Sequence, residues 1–208
     1  MAEDAKKQFL DWCRELQALA QAGLHYSQDV YDRERFARIR EIAAEMLAFQ
    51  NDFSAEKVKA DFLLDEGYQT PKLDCRAAVI EDGKILLVRE NNGLWAMPGG
   101  WVDQDTTIAE STVKECKEEA GLDVRCLRLV AVQDREKHNR PPHVFPILKA
   151  FVLCERLGGR FRPNSETTAS GWFSPDHLPP LCLDKTTASQ IALCLEAAAA
   201  EHWETRLE

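Results

Sequence analysis

The seven cysteines of this chain, at positions 13, 75, 116, 126, 154, 182 and 194, include no C-x-x-C pair. An odd and scattered set at such spacings points away from a zinc site and from a disulfide framework. Most of these thiols are expected to be small buried hydrophobes. Long apolar runs are missing as well, since no stretch approaches the ~18 residues of a membrane helix. With no leader-like segment in view, the expected setting is cytoplasmic and reducing, with no membrane partner. Positive charge is in short supply. Lys and Arg number 26 against 35 Asp and Glu, for a formal net charge of -9. That argues against a general nucleic-acid footprint, while leaving room for one basic pocket. No internal repeat occurs, and Ala197–Ala200 is the one low-complexity stretch.

What is present is an ordinary globular composition, 45% apolar and 29% charged over 208 residues. That length suits one good core plus a small extra domain. The first 65 residues read as helix. Phe9, Trp12, Cys13, Leu16, Leu19 and Ala20 repeat at helical spacing, with Gly23 as the expected stop. A second helix is expected over about 29–49, with Phe36, Ile39, Ile42, Ala43, Met46 and Leu47 on one broad stripe. A third is expected from Ser54 through Val58, Phe62 and Leu63. Three helices of this size bury too little alone. We therefore expect residues 1–65 to pack on the rest of the chain or on a second copy, as a homodimer with twofold symmetry. Asp65–Pro71 is a plausible linker, which sets the second domain at 66–208.

After the linker the pattern changes to strands. Cys75–Ile80 and Ile85–Val88 flank a hairpin turn at Asp82-Gly83. Further strands are expected over Val124–Gln133, over Pro146–Cys154 and near Arg160–Arg162, with a closing helix over about Thr186–Glu201. This order fits an α/β fold, a mixed sheet flanked by helices.

The segment following Pro98-Gly99-Gly100 carries the chemistry. Thr107 and Glu110 form a T-x-x-E capping box, and Gly121 ends the helix as a C′ residue should. Its last turns hold Glu115, Glu118 and Glu119, whose spacing puts the three carboxylates on one face within a turn. Acids there oppose the negative end of the helix dipole, at roughly 0.3–1 kcal/mol each. A divalent cation would convert that repulsion into ligation, and oxygen-rich sites suit Mg²⁺ or Mn²⁺ and hence phosphate substrates. The alternative is a solvated charged face with Lys114 and Lys117 as partners. The Gly-Gly turn, the cap and the terminating glycine favour the metal site.

These residues resemble the box of the Nudix hydrolases, G-x5-E-x7-R-E-U-x-E-E-x-G-U with U aliphatic. Gly100, Glu115, Glu118, Glu119, Gly121 and Leu122 fall on the pattern. Thr106 and Lys114 replace a Glu and an Arg that commonly pair in the family, and Cys116 is a milder departure. The resemblance implies an α/β/α sandwich behind the small helical domain. It also implies that Glu115 and Glu119 ligate Mg²⁺ with the Gly99 carbonyl, Glu118 being a further ligand or the holder of a water. A general base is often recruited from a later loop in this family, and Glu166 is the candidate; its alternative reading is a surface carboxylate.

Other segments resemble one bacterial Nudix subgroup with an N-terminal helical domain. They are Leu16–Gln21, Tyr31–Phe36, Lys84–Glu90, Pro98–Asp103, Pro163–Thr167 and Glu201–Arg206. Members of that subgroup are described as ADP-ribose or CDP-choline pyrophosphatases, which implies a small nucleoside diphosphate derivative as substrate. Arg76 and Arg89, on the first two strands, are candidate phosphate clamps, with solvent exposure as the alternative. Trp95 and Trp101 flank the Gly-Gly turn and suit either core packing or stacking on a base or choline cation, Trp101 being the candidate kept for substrate. Arg135–His143 reads as a long, basic surface loop, which either reaches over the substrate or is simply solvated. Two other function classes remain: a nucleotide sensor without catalysis, disfavoured by the repulsive acidic cluster, and an enzyme acting on RNA ends, for which the basic loop is the one supporting feature.

Overall fold

The computed structural model describes residues 2–50, 67–143 and 145–208. They fall into two compact units, Met1–Pro71 and Lys72–Glu208.

In the first unit, α1 (Ala2–Tyr26) and α2 (Val30–Gln50) pack against each other. Cys13, Ala20, Ala43 and Leu47 are buried between them. Gly23 does not stop α1, which runs on to Tyr26. Its missing side chain instead admits Phe36, whose ring would lie 2.6 Å from a Cβ there. A helix tolerates an interior glycine where a neighbour needs the space. The helix expected from Ser54 lies outside the described residues.

The second unit is a mixed sheet between two helix layers. Its strands are β1 (Lys72–Glu81), β2 (Lys84–Glu90), β3 (Trp95–Ala96), β4 (Leu122–Asp134), β5 (Ile147–Gly159), β6 (Thr167–Phe173) and β7 (Arg206–Leu207). The order is β3-β2-β1-β5-β4-β7, with β6 on β2. β1 runs parallel to β5, and β4 antiparallel to it. The helix α3 (Ile108–Ala120) covers one face, where Cys116 and Ala120 pack on Ala77, Val79 and Val152. On the other face α5 (Ala188–Ala199) sets Ile191, Cys194 and Ala197 on Ala78, Phe151 and Leu153. Between β4 and β5 lies the short α4 (Arg135–His138). Alternation along β1 and β5 sends odd and even residues to opposite layers, which gives the α/β/α sandwich.

Two expectations for the second unit are corrected. Arg160–Arg162 is not a strand, because Gly159, at φ 88°, ends β5. The chain then crosses close beneath Gly121, where a Cβ would strike the Arg160 carbonyl. Arg135–His143 is not a solvated loop. Asp134 caps α4, and Arg135 and Asn139 are buried. Asn139 bonds the Leu183 carbonyl and Gln190, a side chain on α5 that also bonds Gln133.

Candidate active site

Asp74 and Arg76 of β1 and Ile147 and Lys149 of β5 line a cavity of about 340 Å³. The register pairs Asp74 with Lys149 and Arg76 with Phe151. Residues 74 and 76 share the face of Ala78, and 149 that of Phe151, so charge replaces the core pattern at the cavity. Arg76 grips Asp74 through Nε and Nη2, at 2.7 and 2.6 Å, and donates to the Met97 carbonyl. Burial alone would lower the Arg76 pKa, but Asp74 carries it above the ordinary value. Lys149 donates to the Lys185 carbonyl at 2.9 Å and lies 3.7 Å from Asp74. Burial and the nearby Arg76 push its pKa down to about 7.

The facing wall comes from α3 and the turn 98–100. Cys75 and Ala77 of β1 donate to the Gly100 and Pro98 carbonyls, so the turn runs along the strand. Gly99 has φ 148°, and a Cβ would collide with the Cys75 carbonyl. Its amide donates to Glu119 Oε2 at 2.9 Å. A Cβ on Gly100 would sit 3.2 Å from the Glu115 carboxylate, so turn and carboxylates form one packed unit. Burial raises the Glu119 pKa to about 7, against the pull of the Gly99 amide and Arg76. Glu115 is raised too, by burial and then by the charge of Glu118.

The glutamates of α3 are not all brought together. Glu115 and Glu119 line the cavity, whereas Glu118 is exposed and lines a neighbouring cleft with Lys117, Arg160 and Asn164. At about 100° per residue, Glu119 stands ~40° from Glu115 on one side and Glu118 ~60° on the other. Among the described residues, no group of three or more His, Cys, Asp or Glu is close enough to hold a metal ion. Two carboxylates suffice for Mg²⁺, which keeps several waters and uses substrate phosphates. The hard oxygen donors of the wall therefore fit such an ion.

Glu166 reaches the cavity rim from the loop before β6. Asn164 and Thr167 donate to the Glu118 and Glu119 carbonyls, at 2.9 and 2.6 Å, which the end of α3 leaves open. Asn164 Oδ1 in turn accepts the Glu166 and Thr167 amides. Trp101, 46% exposed, lines the cavity with His143, ring centres 6.3 Å apart, so it is not a core residue. Trp95 is the packed one, edge-on to Phe173. Arg76 is buried rather than solvated. Arg89 is exposed, bonds the Gly93 carbonyl and does not line the cavity. Thr106 and Lys114 are not each other's partners. Lys114 pairs with Asp103 at 2.8 Å, while Thr106 bonds Ser111 and the Asp103 carbonyl.

Sequence reasoning missed Asp74, Lys149, Asp184 and Lys185 at this cavity, whereas Arg135 and His143 reach it from the segment read as a loop over the substrate. The signal was there for two of them. Asp74 and Lys149 are charged residues at inward-facing positions of strands that otherwise read as core.

The comparisons with known proteins agree with this geometry. Residues 72–194 match the family described as the NUDIX domain, and residues 7–62 match the UDP-X-like, N-terminal oligomerisation domain. A putative ADP-ribose pyrophosphatase of Bacillus subtilis is 39% identical over 189 residues, covering 90% of this chain and 91% of that protein. The crystal structure of an ADP-ribose pyrophosphatase from Streptococcus suis is 58% identical, with TM-score 0.63 over 67% of this chain and 100% of that one. The crystal structure of a UDP-X diphosphatase is 30% identical, with TM-score 0.63 over 97% and 98% of the two chains. The carboxylate wall on a capped helix, the Gly-Gly turn against it and these matches lead to one conclusion: the chain belongs to the NUDIX family and is a pyrophosphohydrolase.

Proposed function

We propose that this hydrolase cleaves, with Mg²⁺, the diphosphate linkage of a nucleoside diphosphate joined to a small group, of the ADP-ribose or CDP-choline type. The products are a nucleoside monophosphate and a phosphorylated remainder. The observation that carries this reading is one cavity holding both the Glu115–Glu119 wall and the cations Arg76 and Lys149. Glu115, Glu119 and the Gly99 carbonyl would hold the cation. When bound, it supplies charge neutralisation of the diphosphate and acidifies the attacking water. Mn²⁺ has the same ligand chemistry.

The chain's own groups do the rest. Arg76, held by Asp74, presents a fixed positive charge to the phosphate oxygens. Glu166 accepts the proton of the attacking water from the rim. Glu118 acts through its charge on Glu115 rather than from inside the cavity. Trp101 beside His143 offers an aromatic face to a base or to a choline cation. The match of residues 7–62 to the UDP-X-like, N-terminal oligomerisation domain supports a homodimer. The reading as an RNA-end enzyme loses ground, since Arg135 and Asn139 of its basic segment are buried.

A substrate panel with and without Mg²⁺ tests this: ADP-ribose, CDP-choline, UDP-linked sugars, NADH and dinucleoside polyphosphates. The expected result is metal-dependent release of a nucleoside monophosphate from at least one of the nucleoside diphosphate conjugates. Tight nucleotide binding with no turnover of any would make the protein a sensor instead.

A further inference from the structure

Of the seven cysteines, six are buried and Cys126 alone is half-buried. It sits on the face of β4 that packs under α3, and it lines an open groove of about 760 Å³. Ala109, Val113, Leu122, Val124 and Leu157 supply the apolar walls of that groove. The strand register sets Cys126 opposite Cys154 of β5, with a bulge between Cys126 and Arg128. The two sulfurs stand 3.9 Å apart, the Cys154 thiol donating to Cys126. Cys126 in turn donates to the Ala109 carbonyl, in the first turn of α3, at 3.6 Å. Opposed residues of an antiparallel pair lie about 4.5–5.5 Å apart at Cα, inside the ~4.4–6.8 Å that a disulfide spans. Joining the two sulfurs therefore needs side-chain rotation rather than movement of a strand.

We propose that Cys126 and Cys154 form an oxidisable dithiol, with Cys126 as the attacking sulfur and a hydroperoxide as the oxidant. The roles follow from exposure. Cys154 is 3% exposed and does not line the groove, so an oxidant entering there meets Cys126 first. The hydrogen bond from Cys154 also favours the Cys126 thiolate, pulling its pKa down to about 7, while the Cys154 thiol is held protonated. The thiolate is the nucleophilic form. It attacks one peroxide oxygen: the S–O bond forms, the O–O bond breaks, and the departing alkoxide or hydroxide takes up a proton. Cys154 then attacks the sulfenic sulfur of Cys126. The S–S bond forms, the S–O bond breaks, and hydroxide leaves with the Cys154 proton as water. Two thiols lose two electrons, and the hydroperoxide is reduced to an alcohol and water, or to two waters. A disulfide has no proton for the Ala109 carbonyl, so oxidation removes this bond between β4 and the helix that carries Glu115 and Glu119. This chemistry needs neither metal nor nucleotide, and so is independent of the hydrolase reading.

The test treats the reduced full chain with hydrogen peroxide and, separately, with cumene hydroperoxide. Remaining thiols are blocked with iodoacetamide, and the peptides are mapped by mass spectrometry without reductant. The expected product is a linked pair of peptides carrying Cys126 and Cys154, lighter by the two thiol hydrogens and separated again by dithiothreitol. Cys154→Ser should stop at a Cys126 sulfenic acid that dimedone traps. Cys126→Ser should slow the loss of the Cys154 thiol at least tenfold. Should either variant fail to fold, the wild type decides alone: Cys126 and Cys154 must be lost together and ahead of the other cysteines. A wild type that keeps Cys126 reduced with both peroxides would overturn the pair, as would oxidation of Cys126 to sulfinic acid with no link to Cys154.

Discussion

Two effects oppose the charged form of Glu119. Its position at the end of α3 costs roughly 0.3–1 kcal/mol through the helix dipole. Burial costs more. The side chain is 6% exposed, and its pKa rises from 4.5 to about 7. A folded value above the unfolded one means that the folded chain holds the proton more tightly. That contribution is present at acid pH and is lost as pH rises between about 4.5 and 7. The loss above that window is on the order of 3 kcal/mol without metal. In a chelator, Glu119→Gln should raise the melting temperature at pH 8 and change it little at pH 5. Scanning calorimetry at both values checks this, and equal shifts would contradict a buried, raised carboxyl. The sequence revealed that Glu119 was misplaced on its helix. It did not reveal the burial, nor the Gly99 amide that meets the carboxylate.

At the level of elements, the acidic helix was legible because its signals are local. The Thr107 box and the Gly121 stop lie within one helix, and both are formed. Separating Glu118 from Glu115 and Glu119 needed the position of β1, since helical spacing alone gives one broad acidic face. The same holds for Lys114, whose partner Asp103 comes from the segment before the helix. Asp74 and Lys149 show the converse. They meet because two strands distant in sequence pair in parallel, and no local pattern fixes that register. Asp74→Asn leaves Arg76 and Lys149 buried without a full counter-charge, and a loss of about 3–5 kcal/mol is expected. Urea unfolding measures it, and a loss well under 1 kcal/mol would show that the pair contributes little.

For the molecule as a whole, the change from helical to strand grammar near residue 70 marks the same place where the contacts divide, between Pro71 and Lys72. Composition could not say what covers the wide apolar arc of α2, on which Ile42 and Phe49 stay exposed, at 37% and 93%. We predict that the full chain is a dimer in solution and that residues 66–208 alone are monomeric or aggregate. The glutamates of the carboxylate wall are untouched by that truncation, because all lie beyond residue 71. Size exclusion with light scattering on both chains decides it, and a full-length protein that stays monomeric at high concentration would refute the dimer.

The wall itself is tested most directly by turnover of Glu115→Gln and Glu119→Gln at saturating Mg²⁺, on whichever panel substrate the wild type cleaves. Each variant should keep its fold and lose most of kcat, because each removes a hard oxygen ligand from the cavity. Wild-type turnover in either would contradict a metal-dependent site built on these two residues.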